Sequence, residues 1–498
     1  MSKQKLKTTS MIAGFRILSS VFGFIIPLYL SRHISIEDYG TYKALILIQS
    51  TAMFVLPLGI DSALLVFLQK DRNYHHMYGL NILVFTFITG ALCTSIFIIF
   101  IQPISGLLNI KGLIDLKESF SVFLMTSLMT NHIYIYFIFK EKIKTAISIE
   151  LISQLCKAFL TIFGFYYIQT LDGVFWLLGI FFGFQLVLIT LYHIIGISRL
   201  KQKKQDVILQ FSSQIGHGLP VGLSNIALYM AELDKLVISS LFGARSFAIY
   251  STGCFKLPFT HSIESTMLDM MGMAMVKNYE SKQLEKIKQL WKDYSRQILS
   301  IQIPIGIFFS IFSEAVITLI FSSTYTESAA IFSIFMLMQT FNSSQPDMLF
   351  RVMQATKRLM NFQIIYVCAS FSVISLGAIY FGVTGAILAK FVVNFCVLAL
   401  KINWYRKRLI LPVKELYDWR PIIQIIGICL TAALIAKHLT DAWVDSPFAK
   451  LGIGGISYLA LIYVMAFRMH ALDSKEKDFI ETWLLTQYQR IKNGALVR

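Results

Sequence analysis

Apolar residues run through this chain in fourteen blocks, each about 20 to 30 residues long and separated by short polar gaps. The blocks cover 8–32, 40–68, 79–102, 119–139, 145–169, 172–197, 214–241, 246–275, 295–321, 327–349, 361–381, 383–405, 420–440 and 447–468. An α-helix of that length crosses the roughly 30 Å hydrocarbon layer of a bilayer. Gaps this short suit helix-to-helix connections in a bundle. The pattern predicts an all-α polytopic membrane protein of about 14 transmembrane helices.

Composition agrees, with 56% hydrophobic and only 15% charged residues. The formal net charge of +17 is what the gaps then explain. Lys and Arg crowd the N-terminus and the even-numbered gaps, as in Lys140, Lys142 and Lys144, or Arg199, Lys201, Lys203 and Lys204. The odd gaps hold only Arg32, Lys111, Lys117, Arg245, Lys437 and Lys450. The positive-inside rule puts the even gaps and both termini in the cytoplasm. Basic charge arranged this way tracks membrane orientation, and no basic stripe or zinc-finger spacing points to nucleic acid. Six cysteines each sit alone in an apolar block, so neither a disulfide frame nor a metal site is expected. The polar start followed by a long apolar run reads as a retained first helix. Two stretches, Leu284 to Tyr294 and Phe479 to Ile491, have helical apolar spacing among lysines and are expected to lie along the inner leaflet.

A shift of 208 residues lays Leu30 on Ile238, Tyr42 on Tyr250 and Asp61 on Asp269. Six helices separate the copies, and an even number keeps both in one orientation. The expected architecture is two pseudo-symmetric six-helix bundles, 1–205 and 206–410, around a cavity. Two extra transmembrane helices over 411–470 and a cytoplasmic amphipathic tail over 471–498 complete it.

At Arg32, Ser35, Asp38, Tyr39, Gly40 and Tyr42, and again at Asp234, Gly243 and Tyr250, the sequence resembles the polysaccharide-exporter branch of the superfamily that also holds multidrug extruders and the lipid II flippase. Ser35 and Asp38 are spaced as a helix-capping box. The resemblance covers the first twelve blocks. It implies a flippase for undecaprenyl-pyrophosphate-linked oligosaccharide, an O-antigen or similar repeat unit, in the bacterial inner membrane. Membrane lipids, and polysaccharide polymerase or chain-length machinery, are the partners it implies. It also implies basic residues facing the cavity from helices 1 and 8, where this chain has Arg16 and Lys256.

Ionisable side chains within the blocks are the candidate site residues, because lipid-facing charge is costly. Arg16, Lys256, Lys390 and Lys157 are candidates for a cationic cavity that replaces the hydration of a pyrophosphate. Lys157 is equally open to a pairing with Glu150. Asp61, Asp234, Glu264, Asp269, Asp347 and Arg351 are candidates for gating or ion coupling. Asp347 and Arg351, at i and i+4, are expected to pair, as are Glu232 and Lys235 at i and i+3. Asp234 then points about 100° away from Lys235, towards another helix or a cation. No cofactor is expected, and no GxxxxGK loop marks a nucleotide site. Two alternatives stay open: a multidrug or cation antiporter of the same fold, and a membrane-embedded polysaccharide polymerase or glycosyltransferase.

Overall fold

The structure, a computed structural model, describes residues 22–60, 67, 75–140, 142–198, 211, 212, 214, 215, 232–345, 347–353, 355–409 and 417–468. Helices make up nearly all of it, with no strand among the described residues. The first part holds α1 (22–33), α2 (Ile36–Val55), α3 (His75–Ile99), α4 (Ile101–Leu108), α5 (Lys117–Thr130), α6 (His132–Phe139), α7 (Ile143–Ile168) and α8 (Leu171–Ser198). The second holds α9 (Leu233–Gly253), α10 (Pro258–Glu280), α11 (Leu284–Ile311), α12 (Ser313–Ile320), α13 (Ser328–Asn342), α14 (Asp347–Val352) and α15 (Thr356–Leu409). Helices α16 (Trp419–Trp443) and α17 (Pro447–Arg468) follow as an antiparallel pair. The protein is an all-α polytopic membrane protein built as two similar bundles with two appended helices.

Among the described residues, seven helices are long and apolar enough to cross a bilayer, and an eighth arises if α11 and α12, bent by 76°, count together. Two glycines turn single helices into hairpins. Gly382 takes φ +65° inside α15, and Gly377 then lies against Gly385 of the returning leg. Gly243 takes φ +75° inside α9 and joins the seventh span to the eighth. Only glycine enters this backbone region without steric cost. Both parts also repeat one local pattern. A short helix and a 3-10 turn, α4 then Lys111–Leu113, recur with the same spacing as α12 then Ser323–Tyr325.

One expectation fails here. The stretch from Leu284 to Tyr294 does not lie apart on a leaflet but forms the first turns of α11, continuous with the ninth span. Ile287, Trp291 and Tyr294 are buried against Tyr417 and neighbouring apolar residues. Apolar spacing on one face cannot distinguish a lipid surface from a protein surface as its partner. The second such stretch, in the tail, lies outside the described residues.

The two ends of the bundles are packed differently. At the odd-gap end, one apolar cluster joins both parts, from Leu30 and Tyr39 to Phe247, Ile317, Phe321 and Tyr325. Hydrogen bonds reinforce it: Ser31 Oγ donates to the Phe321 carbonyl at 3.2 Å, and Arg32 donates to the Leu319 carbonyl. Ser239 Oγ donates to the Leu108 carbonyl at 2.7 Å. Gly40 packs so tightly on α9 that an added Cβ would lie 2.1 Å from the Ala244 oxygen. Towards the even-gap end, the buried residues instead form separate clusters, one around Tyr78 and Tyr136 and another around Trp291 and Tyr405. The halves are clamped at one end and separately cored at the other.

Candidate functional site

Pro258 sets the site. It has no N–H to offer a preceding carbonyl, and it forces Leu257 into extended backbone (φ −68°, ψ 124°). The eighth span therefore breaks at 254–257, between α9 and α10. Lys256 sits in that break with its side chain 59% exposed. Non-helical backbone at membrane depth is tolerated only where it is buried in protein or lines a water-filled cavity. Phe255 of the same break stacks on Phe24 of α1 at 4.5 Å, so α1 lies directly against it.

Charges from three other segments converge on the break. Lys256 Nζ is 3.5 Å from Glu232 Oε1, and the other oxygen of Glu232 pairs with Lys235 as the i, i+3 spacing predicts. Asp234, 1% exposed, faces the other way. It receives Lys390 Nζ at 2.7 Å and the Tyr250 hydroxyl at 2.6 Å, both on Oδ2. Lys390, itself 8% exposed, reaches across from the second leg of α15. Lys390 also lies within electrostatic reach of Glu232, as Lys256 does of Glu264. From the first bundle, Lys43 of α2 lies within electrostatic reach of Lys235. Lys43 packs over the Tyr39 ring at 5.3 Å and has no acidic partner among the described residues. Four lysines thus confront three carboxylates, a positive surplus even with every acid ionised. At about 1.5 Å per helical residue, Lys43, Asp234 and Lys390 lie roughly 10–14 Å from the odd-gap end, and Lys256 somewhat deeper. That is well inside the hydrocarbon layer.

Other candidates are placed elsewhere. Asp347 does not pair with Arg351 as the i, i+4 spacing predicts. It meets Lys401 Nζ at 2.7 Å, while Arg351 is exposed. Helix α14 is only six residues long, and the long second leg of α15 brings Lys401 to its buried side. Lys401 also donates to Gln345 at 3.2 Å, and Gln345 donates to Asn394 at 3.2 Å. Lys390, Asn394 and Lys401 share one face of that leg and make a polar stripe along it. Replacing Lys401 by alanine is expected to lower stability by about 2–3 kcal/mol, since it strands a half-buried carboxylate. Arg351→Ala should cost no more than about 0.5 kcal/mol. Thermal unfolding of the two purified variants in detergent decides between the pairings.

Lys157 is not in the lysine cluster. It lines a separate cavity of about 310 Å³ within the first bundle, between α2, α5, α6, α7 and α8. Glu150, in its electrostatic reach, accepts a hydrogen bond from Gln154 at 3.0 Å. Arg16 and Asp61 lie outside the described residues. Asp269 lies on α10 with its side chain outside the description. Among the described residues, no group of three or more His, Cys, Asp or Glu could hold a metal ion. Lys43 and Lys401 were passed over in the sequence because each lies near a block edge, where a lysine ordinarily reaches for the headgroups.

A broken span lined with charge, between two similar bundles, belongs to a fold that solved flippases and multidrug extruders share. The lipid II flippase MurJ in an inward closed conformation superposes with a TM-score of 0.66 at 14% identity, over 92% of this chain and 99% of that one. An inward-facing multidrug resistance MATE transporter of the MOP superfamily gives 0.61 at 13% identity, over 80% and 98%. The Vibrio cholerae MATE transporter VcmN in its bent form gives 0.51 at 16%, over 82% and 100%. No curated protein matches the sequence. The model of the family described as "Polysaccharide biosynthesis protein" matches residues 29–330, more than half of the chain, and the chain belongs to that family. Its fold is that of the solved lipid II flippase and MATE transporters.

Proposed function

We propose that this protein flips undecaprenyl-pyrophosphate-linked oligosaccharide, the repeat unit of an O-antigen or similar surface polysaccharide, across the bacterial cytoplasmic membrane by alternating access. The observation that carries this reading is the lysine surplus around the broken eighth span, where Lys235, Lys256 and Lys390 gather and Lys43 of the other bundle lies within electrostatic reach of Lys235. Like charges in a low-dielectric site repel, and an anion between them turns that repulsion into attraction. A pyrophosphate supplies the charge and several acceptor oxygens for charge-assisted hydrogen bonds. The positive end of α10 points at the same break and favours the same ligand.

The lysine and arginine excess supports placing the even gaps and both termini in the cytoplasm. The clamped odd-gap end is then the outer face, and the substrate enters from inside. Bundles 1–205 and 206–410 rock about the site, while 411–470 and the tail 471–498 remain appendages. The polyprenyl chain stays in lipid, and a polymerase with its chain-length machinery takes the product outside. A cation antiporter is less well supported, since Glu232, Asp234 and Asp347 are each already neutralised by a lysine.

The test uses the purified chain in liposomes that carry biotin-labelled lipid-linked oligosaccharide. Avidin added outside should capture well over the half of the label that protein-free vesicles expose. Capture at the protein-free level removes the reading.

A further inference from the structure

The cavity of about 310 Å³ inside the first bundle has a lining unlike that of the lysine cluster. Gln49, Asn131, Gln154 and Gln185 present amides to it, and Tyr134 and Phe182 present rings. Among the described residues that line it, the two charged ones, Glu150 and Lys157, are of opposite sign. Unmet polar groups at membrane depth are costly, so such a lining implies water or a polar ligand. Among the described residues Asn131, Gln185 and Tyr134 make no side-chain hydrogen bond, and none of them is fully buried. A charge-balanced wall gives no advantage to an ion. Amides that donate and accept, set beside aromatic faces, suit a ring that has hydroxyls on its edge and C–H groups on its face. The volume lies at the lower end of the roughly 300–1,000 Å³ of small-molecule pockets, enough for a sugar ring with water and too little for an oligosaccharide.

Position ties this cavity to the lysine cluster. Lys43, Ile46 and Ser50 follow one face of α2 at i, i+3 and i+7, and the last two line the cavity. From Lys43 to Ser50 is about 10 Å along the helix. Gln49, Gln154 and Gln185 all lie roughly 20 Å from the odd-gap end, on three different helices. The geometry points to a sugar-binding subsite in the first bundle that seats a single sugar of the lipid-linked headgroup while the lysines hold its pyrophosphate. This rests on the flippase reading and adds a second point of recognition, lined mainly by amides and aromatic rings, within the first bundle.

Binding of two lipids to the purified full-length protein separates the two ideas. One is lipid-linked oligosaccharide purified from the cells that make this protein, and the other is sugar-free undecaprenyl pyrophosphate. Gln154→Leu and Gln185→Leu should each weaken the glycolipid about tenfold and leave the sugar-free lipid within about twofold, which also shows that the variants are folded. Unchanged affinity for both lipids, or equal loss for both, overturns the subsite and leaves the flippase standing. Free oligosaccharide binding as tightly as the glycolipid overturns it in favour of a soluble sugar. Wild-type protein that binds neither lipid brings down both ideas.

Discussion

Lys256→Gln abolishes flipping while the protein still accumulates and folds. The side chain is more than half exposed in a break of the eighth span and holds no packing role, so its removal costs little stability. Its partner Glu232 keeps Lys235. What disappears is the positive group at the break, the part of the cluster most open to an incoming headgroup. A hydrogen bond to a charged group contributes about 1.5–3 kcal/mol, which is a loss of one to two orders of magnitude in pyrophosphate affinity. The readouts are surface glycan in cells and avidin capture in vesicles, each alongside protein level. Normal glycan with a normal protein level removes Lys256 from the site.

Asp234→Ala has the larger effect on the protein itself. Asp234 and Lys390 are both buried, and removing the acid leaves an ammonium without its counter-charge inside the membrane. Breaking a buried pair from one side costs about 3–5 kcal/mol. The Tyr250 hydroxyl loses its acceptor as well, worth about 1–3 kcal/mol more if no water replaces it. Asp234→Ala should therefore express poorly or unfold many degrees earlier in detergent. The double variant Asp234→Ala with Lys390→Met should recover most of the loss, because a well-packed apolar pair often matches a buried ion pair in stability. A double variant as unstable as the single one would show that the pair matters for something other than mutual neutralisation.

The sequence carried the fold further than the site. Block length and the parity of basic gaps depend on one-dimensional patterns that the bilayer imposes, and these read directly as helices and their order. Local pairings were mixed. Glu232 and Lys235 meet as their spacing predicts because Glu232 has a second oxygen with which to meet Lys256. Asp347 turns from Arg351 to Lys401 because a residue 54 positions away in sequence lies on its buried side. The helical wheel correctly turns Asp234 away from Lys235, but it cannot name Lys390, 156 positions on. Spacing along one helix is visible in the sequence, whereas partners brought by a second helix are not. For that reason Lys157 reads in the sequence as an intramembrane charge without any sign that it lies apart from the cluster around Lys256.

The clasp at the odd-gap end closes on main-chain oxygens, those of Leu319 and Phe321, and not on acidic side chains. A carbonyl oxygen has no proton to gain between mild acid and mild alkali, so a change of pH at this end has nothing to titrate on the accepting side of this latch. Leu319 and Phe321 contribute only their backbone to these bonds, while the Phe321 ring packs on Phe24 and Phe255 in the cluster that joins the two parts. The strength of these bonds is thereby separated from the acidity of the environment they face.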